Sequence, residues 1–429
     1  MRMSYTARCA GAWVVAGAIA GILVPGSASA QTVRLGLITS ITGPAAGTGA
    51  DQQRAATLAV EELNAAGGVT VGGAKRKVEL VIGDDQTSRE GAVSGVTRLI
   101  VEDKVNVVFG GLGSAFGMAA LPLIQERGIP YIPTPSTPLF TRTKDMGPDP
   151  TKSMVFHYQA TGLMYGAGTA DFIAEGLRPV FAPGKPIRVA WLYQDSPFGA
   201  EYVRGYTDRI KEKNLPLETV ATERFKVGET DYRAQLTKIK ALAPQVLVPM
   251  GFRGETVAMV QQAVLDVGID PKKVAIGPVC ACVDDPLYYK DLGKIGSHTT
   301  ILSVYSTYAT PKNPAFARWP DFRASFQKRY GVLPGVLGVS AYDAVHIAAR
   351  AIERAGSLDS QRVIAALAAL PVDKYVMPIR SGKTLFDPKY REVDFYLIAQ
   401  QFFWDEKLKE LRPRVVWPHD VADAKYVHP

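Results

Sequence analysis

Short apolar runs alternate with segments of helical period along most of the chain. Val33–Thr39 (VRLGLIT), Lys77–Gly83 (KVELVIG), Val105–Phe109 and Ile129–Ile132 read as strands buried on both faces. Between them, Asp51–Ala65, Arg89–Glu102 and Met118–Glu126 carry apolar residues at helical spacing. Gly67-Gly68 closes the first of these helices. Strand–helix alternation with near-continuously apolar strands predicts a parallel sheet covered on both faces.

The same grammar then restarts. A polar loop is expected at Lys144–Ser153, a strand at Met154–Tyr158 and a helix at Leu163–Glu175. Ile187–Tyr193 (IRVAWLY) mirrors the first strand, and Gln194-Asp195-Ser196-Pro197-Phe198-Gly199 mirrors the first turn. Further strands fall at Glu218–Phe225, Gln245–Pro249 and Val274–Gly277, with helices at Ala200–Lys213, Tyr232–Ala241 and Glu255–Val267. TTILSVYST, after His298, reads as a strand, and helices follow at Pro314–Tyr330, Ser340–Ala355 and Ser360–Leu370. The tail carries DFYLIAQQFFW and RVVWP, both strand-like. The fold class is therefore α/β, with two doubly wound parallel-sheet lobes that the late elements return to complete. The expected limits are 31–153 for lobe 1, completed by about 307–375, and 154–306 for lobe 2, completed by about 376–429.

Strand ends decide where a ligand would sit. Val105–Phe109 breaks into Gly110-Gly111-Leu112-Gly113-Ser114, and Ile129–Ile132 into Pro133-Thr134-Pro135-Ser136-Thr137-Pro138. Open α/β sheets bind ligands outside the carboxyl ends of their strands. A helix starting at Ser114 also aims unpaired amides and its positive end there, which favours an anion. Thr42, Ser114, Pro135, Ser136, Thr137, Tyr158, Phe198, Phe252 and Arg253 all fall at such ends, from both halves. Hydroxyls and amides suit a carboxylate, and aromatic rings cover an apolar body. Each residue alone is equally compatible with a cap or a contact between lobes; their joint placement favours a cleft.

Composition narrows the class. Residues 1–30 read as a signal peptide: Arg2 and Arg8 precede the apolar run Ala10–Val24, and Ala28-Ser29-Ala30 predicts cleavage after Ala30. The chain is then exported, and the bacterial periplasm is the expected compartment. The net charge of +8 falls to +6 without Arg2 and Arg8, and basic residues are interspersed with acids. That leaves no nucleic-acid footprint. Cys280 and Cys282 remain in an oxidising compartment; two apart, they need a sharp turn to pair, so bridged and free forms both stay open.

No catalytic or metal constellation is visible, and no cofactor is expected. Ser381-Gly382-Lys383-Thr384 lacks the glycine a phosphate loop requires, since Met377 stands there. Asp84-Asp85 and Asp284-Asp285 read as strand-end turns or helix caps rather than ion ligands. His157 and His346 read as ordinary polar residues.

Several segments in order resemble one family. VRLGLITSITGPAAGTGADQQRAATLAVEELNAAGG, VELVIGDDQTSREGAVSGVTRLI, GIPYIPTPST, DSPFG, SAYDAVHIAARAIERAG and GKTLFD are similar to the type I periplasmic binding proteins, specifically the Leu/Ile/Val-binding family of ABC-transporter receptors. The resemblance covers nearly the whole chain after the leader. It implies two lobes joined by three crossovers, closing over a small ligand by hinge bending, and a permease in the inner membrane as partner. The chain is expected as a monomer. By position, Ser114 and Pro135–Thr137 match carboxylate-binding sites of the first lobe, Phe198 an aromatic wall, and Phe252 and Arg253 a further second-lobe contact. Arg253 meets a carboxylate if it faces inward and otherwise lies on the surface.

Departures from the family pattern matter for the ligand. Acids that hold an α-ammonium in amino-acid binders are missing: Tyr158-Gln159-Ala160-Thr161-Gly162 contains none, and Val279 follows Gly277-Pro278. An ammonium without a counter-charge in a closed cleft is costly. The expected ligand is thus an aromatic or apolar acid without an α-amino group. A branched-chain or other amino acid, or an amide, is the second reading, with Asp195, Asp284 or Asp285 replacing the missing acids. A secreted hydrolase or lyase is the reading from another class.

Overall fold

The computed structural model describes residues 1, 3–4, 32–142, 153–280 and 283–428. The apolar run and cleavage site of the leader, the loop expected at Lys144–Ser153 apart from Ser153, and Cys282 lie outside them.

The first sheet runs β4-β1-β5-β6 and is parallel throughout. Its strands are β1 (Val33–Thr39), β4 (Val78–Asp84), β5 (Val107–Gly110) and β6 (Tyr131–Pro133). Leu35 pairs with Leu80 on one side and Val107 on the other, so β1 is central and reads almost uninterruptedly apolar. A small antiparallel hairpin, β2 (Val69–Val71) with β3 (Ala74–Arg76), precedes β4. It turns on Gly72 and Gly73, both at positive φ, which a two-residue hairpin loop requires. The hydrophobic pattern does not reveal it, because three-residue strands carry too little periodicity.

Helix α1 (Ala46–Ala65) lies on one face of this sheet, while α2 (Arg89–Thr97) and α3 (Ser114–Arg127) lie on the other. Ile38, Val96, Leu99, Ala120, Leu121 and Ile124 form the core beneath the second pair. A short turn, α4 (Leu139–Arg142), is tied by Thr141 and Arg142 to the distant carboxylate of Glu392. The strand expected at Met154–Tyr158 is not a ladder strand. Its backbone bonds first to Tyr131 of β6 and then, through the His157 amide, to Arg391 O, so it threads between two elements as a connector.

The second sheet, β10-β9-β7-β8, is also parallel. It comprises β7 (Ile187–Gln194), β8 (Leu217–Phe225), β9 (Val246–Met250) and β10 (Ala275–Ile276). Helices α5 (Gly162–Phe172) and α7 (Pro197–Lys213) pack together, with the one-turn α6 (Arg178–Phe181) between them in sequence. The close approach of α5 and α7 depends on small residues: a Cβ on Gly166 would stand 2.0 Å from Tyr202 O. On the opposite face, α8 (Arg233–Ala241) and α9 (Arg253–Gln261) bury Leu236, Ile239 and Met259 against Ala190, Leu192 and Leu247.

The chain then builds a mixed third sheet, β11-β12-β13-β14. Here β11 (Val279–Cys280) and β12 (Thr300–Ser303) are parallel, while β13 (Ile398–Asp405) and β14 (Glu410–Trp417) join as an antiparallel hairpin. The long strand read from TTILSVYST is only four residues here, because the chain beyond Ser303 leaves β13. Helix α10 (Pro286–Leu292) lies between β11 and β12 in sequence. Helices α11 (Trp319–Tyr330), α12 (Val336–Ala355) and α13 (Ser360–Ala368) complete the order, with α12 lying along α1 and reaching β5. Cys280 is disulfide-bonded. Among the described residues, no helix is long and apolar enough to cross a membrane.

Candidate functional site

The carboxyl ends of β1, β5 and β6 are fixed to one another by buried side chains. Thr39 Oγ1 donates to Gln52 Oε1 at 2.8 Å; Gln52 Nε2 donates to Gly111 O at 3.2 Å and to Thr134 Oγ1 at 3.0 Å. Gly110 and Gly111 both take φ near +95° to +99°, and a Cβ on Gly111 would press within 3.2 Å of Pro135 Cγ. That left-handed turn, open to glycine at little cost, sets the start of α3 beside Pro135 and Ser136.

These elements form one side of a cavity with about 690 Å³ of empty space, part of it open to solvent. Leu112, Ser114, Ala115, Phe116, Pro135 and Ser136 line that side, and the other side carries Gln159, Tyr165, Gln194, Ser196, Phe198 and Phe252. Val336 and Leu337 from the start of α12 close it. Four helices begin on this wall: α3 at Ser114, α7 beside Phe198, α9 after Phe252, and α12 at Val336. Gly113 caps α3 with no side-chain bond, so its first amides are left for another acceptor. Ser196 caps α7, and the starts of α9 and α12 already face the carboxylates of Glu255 and Asp51, so it is the uncapped N-terminus of α3 whose amides and partial positive charge favour an anion.

No aspartate, glutamate, lysine, arginine or histidine lines this cavity among the described residues. One carboxylate stands behind the wall. Glu255 accepts from Gln194 Nε2, Gly228 N and Phe252 N, each at 2.8 Å, and is raised above its ordinary pKa by burial, against those three donors. Aromatic rings back the wall in turn: Tyr165 stacks on Tyr202 with centroids 5.9 Å apart, and Phe198 meets Tyr202 edge-on at 5.6 Å.

Of the residues expected at the site, Ser114, Pro135, Ser136, Phe198 and Phe252 line the cavity. Four do not, and each for a definite reason. Tyr158 is fully buried at the connector, its hydroxyl donating to Asp343 Oδ2 at 2.9 Å and its ring packed against Phe395 and Tyr375. Thr137 is buried and accepts from the Leu139 amide, opening α4. Thr42 lies in the exposed turn after β1, where Oγ1 donates to Asp84 at 2.7 Å. Arg253 turns away from the cavity and pairs with Asp285 at 3.6 Å and Asp291 at 3.5 Å.

Arg253 borders a second crevice with Asp51, Arg54, Asp284 and Asp285, which shares Val336 and Leu337 with the first cavity. Asp51 Oδ2 accepts from the Gly335 and Gly338 amides, both at 3.0 Å, and so seats the start of α12. Burial, with Asp285 adding to it, pushes the Asp51 pKa up to about 7. Asp285 caps α10 through the Leu287 and Tyr288 amides. Asp284 is buried among Tyr289 and Gln400, and Asp195 is exposed beside Arg224. None of these acids lines the first cavity.

Sequence reasoning missed Gln194, Tyr165, Phe116, Val336 and Leu337 as lining residues. Gln194 was within reach, since it ends a strand in the same pattern as the other site residues. Val336 and Leu337 open a helix some two hundred residues from Ser114, and only the tertiary fold brings them in.

The model of the family described as "Periplasmic binding protein" matches residues 32–389. The leucine-, isoleucine-, valine-, threonine- and alanine-binding protein of Pseudomonas aeruginosa is 28% identical over 353 residues, covering 80% of this chain and 84% of that protein. Among solved structures, the branched-chain amino acid transporter substrate-binding protein LivJ of Streptococcus pneumoniae, in complex with isoleucine, is 25% identical. Its TM-score is 0.72 and the match covers 90% of this chain and 100% of that one. A solute-binding protein of Rhodopseudomonas palustris in complex with 3,4-dihydroxybenzoic acid superposes at TM-score 0.74, with 22% identity over 91% of this chain and 98% of that one. The two α/β sheets with a ligand-sized cavity at their strand ends, and a family match over most of the chain, agree: the chain belongs to the periplasmic binding protein family.

Proposed function

We propose that the protein is the substrate-binding component of an ABC importer, and that it carries a small aromatic or apolar carboxylate without an α-amino group to an inner-membrane permease. The observation that carries the reading is the uncharged wall of the first cavity, with hydroxyls and the uncapped N-terminal amides of α3 on it. Such a wall stabilises a carboxylate through amides and dipoles. It offers an ammonium no counter-charge among the described lining residues, since Glu255 stands behind the wall rather than on it. Phe116, Phe198 and Phe252 suit an apolar body.

The lobe limits that go with this reading are 31–153 with 307–375, and 154–306 with 376–429. The packing of α12 along α1 and the hairpin of β13 and β14 beside β12 support them. Export through the leader, cleavage after Ala30 and residence in the periplasm belong to the same proposal, and family membership supports the compartment. Ser114 and Ser136 would hold the carboxylate, with Phe198 and Phe252 over the ligand body. Both named relatives are binding proteins, as is the R. palustris neighbour that holds an aromatic acid.

A second reading, a branched-chain amino acid, is favoured by the P. aeruginosa and S. pneumoniae proteins, which bind such ligands and are the nearer two in sequence. Thermal-shift measurements with benzoate, small aliphatic acids, leucine, isoleucine and valine separate the two. Saturating ligand stabilises by RT ln(1 + [L]/Kd), about 3 kcal/mol at a hundredfold excess over Kd. Stabilisation by the acids and not by the amino acids is expected. The reverse pattern would sink the first reading.

A further inference from the structure

We infer that Gln194 selects among such acids, favouring those that carry a hydroxyl group on the body of the molecule, and that Gln159 assists it. The inference rests on the carboxylate reading above. Gln194 ends β7, is 4% exposed, and lines the cavity. Its Nε2 donates to Glu255 Oε2 at 2.8 Å. Both oxygens of Glu255 are already committed as acceptors of backbone amides, Gly228 N on Oε1 and Phe252 N on Oε2. What Glu255 needs from Gln194 is therefore an N–H, and the carboxamide is seated with nitrogen towards Glu255. Its Oε1 is left as the free end and takes no partner among the described residues.

Gln159 is fixed in the opposite sense. It is 2% exposed and lines the same cavity. Its Oε1 accepts from Ala160 N at 2.9 Å and from the Tyr165 hydroxyl at 3.2 Å, so Nε2 is the end without a partner among the described residues. The wall thus holds one neutral acceptor and one neutral donor, each oriented by groups behind it. A carboxylate cannot donate to Gln194, and a bare hydrocarbon would strip water from both amides and return nothing. A hydroxyl donates to Gln194 and keeps lone pairs for Gln159. Sites built to bond a ligand hydroxyl reject analogues that lack it more strongly than apolar pockets reject an added one.

The test is calorimetric titration of the mature protein with benzoate, 3-hydroxybenzoate and 4-hydroxybenzoate, repeated on Gln194→Met and Gln159→Met. The unmodified protein is expected to hold at least one hydroxybenzoate about tenfold tighter than benzoate. In Gln194→Met that preference should fall to within about twofold, with a circular-dichroism melt reporting that the variant is folded. Equal binding of all three acids by the unmodified protein overturns this inference and leaves the carboxylate reading standing. A hydroxyl preference that survives in Gln194→Met overturns it too. Binding of leucine and of none of the acids overturns both.

Discussion

Two hollows stand back to back across the start of α12, and they share Val336 and Leu337 as a partition. They differ in kind. The first is walled by hydroxyls, amides and rings, with no ionised side chain among the described residues. The second gathers Asp51, Arg54, Arg253, Asp284 and Asp285. The charges of the second are spent on structure. Asp51 caps α12, Asp285 caps α10, Arg253 joins α9 to Asp285, and Asp284 bonds Tyr289 and Gln400. The difference teaches how a neutral cavity can suit an anion. The uncapped end of α3 supplies the field in one hollow, while the fixed charges of the next are committed to helix caps, an ion pair and buried hydrogen bonds.

The largest effect should come from putting a charge into the neutral hollow. Ser114→Asp places a carboxylate in the first turn of α3, where it would take the amides offered to the ligand. Acid affinity should fall by more than about a hundredfold, since like charges would meet in a desolvated cavity. The unliganded protein should be as stable as before or slightly more so, because an acid at a helix N-terminus is favourable by roughly 0.3–1 kcal/mol. Titration with benzoate and a thermal melt check both halves. Retained acid affinity would remove α3 from the site.

The next effect belongs to the charged hollow and is read in pH. Asp284 is buried, and desolvation lifts its pKa from 3.8 to about 7, against the bonds from Tyr289, Ser303 and Gln400. The folded protein therefore keeps a proton that the unfolded chain has lost. This contribution is fully present below the unfolded value and is lost as pH rises through the folded one. Asp284→Asn removes the titration. Between pH of about 4 and 7, the melting temperature of the unmodified protein should fall relative to the variant with increasing pH. Parallel profiles would show that Asp284 is not the group responsible. Acid affinity, by contrast, should be flat between roughly pH 6 and 8, because Tyr165 is the one titratable side chain among the described lining residues and burial holds it well above its ordinary pKa.

Arg253→Met separates the hollows more directly. The ion pairs it removes are long, at 3.6 and 3.5 Å, and its side chain is 23% exposed. The loss in stability should be about 1 kcal/mol. Acid affinity should change less than about twofold, within the noise of an ion pair that never touches ligand. A tenfold loss of affinity would return Arg253 to the ligand.

How far the molecule can be read before folding follows the same division. The two parallel sheets were legible because strands buried on both faces are apolar throughout, and their helices show the complementary period. Ser114, Pro135, Ser136, Phe198 and Phe252 were legible because strand ends in such sheets converge on one edge. Arg253 was misplaced by one position of helix phase: Phe252 caps α9 and faces the cavity, while Arg253 begins the helix and turns towards Asp285. Tyr158 was misplaced because its segment is a connector, whose side chains do not alternate as in a ladder strand. Asp51 and Asp343 could not be read at all. Apart from the Tyr158 hydroxyl on Asp343, their partners are backbone amides of distant residues, Gly335, Gly338, Val376 and Met377, which leave no mark on a side-chain pattern.

The smallest expected effect is at Thr42, which belongs to neither hollow. Its Oγ1 donates to Asp84 Oδ2, and its amide and that of Ile41 donate to Oδ1. Burial raises the Asp84 pKa, but these donors and Gln86 outweigh it, and the group titrates below its usual range. An acid held low in the folded state contributes stability that is present above the unfolded pKa and lost as pH falls through the folded one. Thr42→Ala removes one of four donors at a solvent-exposed turn, so the cost should be no more than about 0.5–1 kcal/mol. It should be visible near neutral pH and vanish in acid, with benzoate affinity unchanged. A variant that loses acid binding while melting normally would place the turn after β1 on the ligand and extend the neutral cavity to include it.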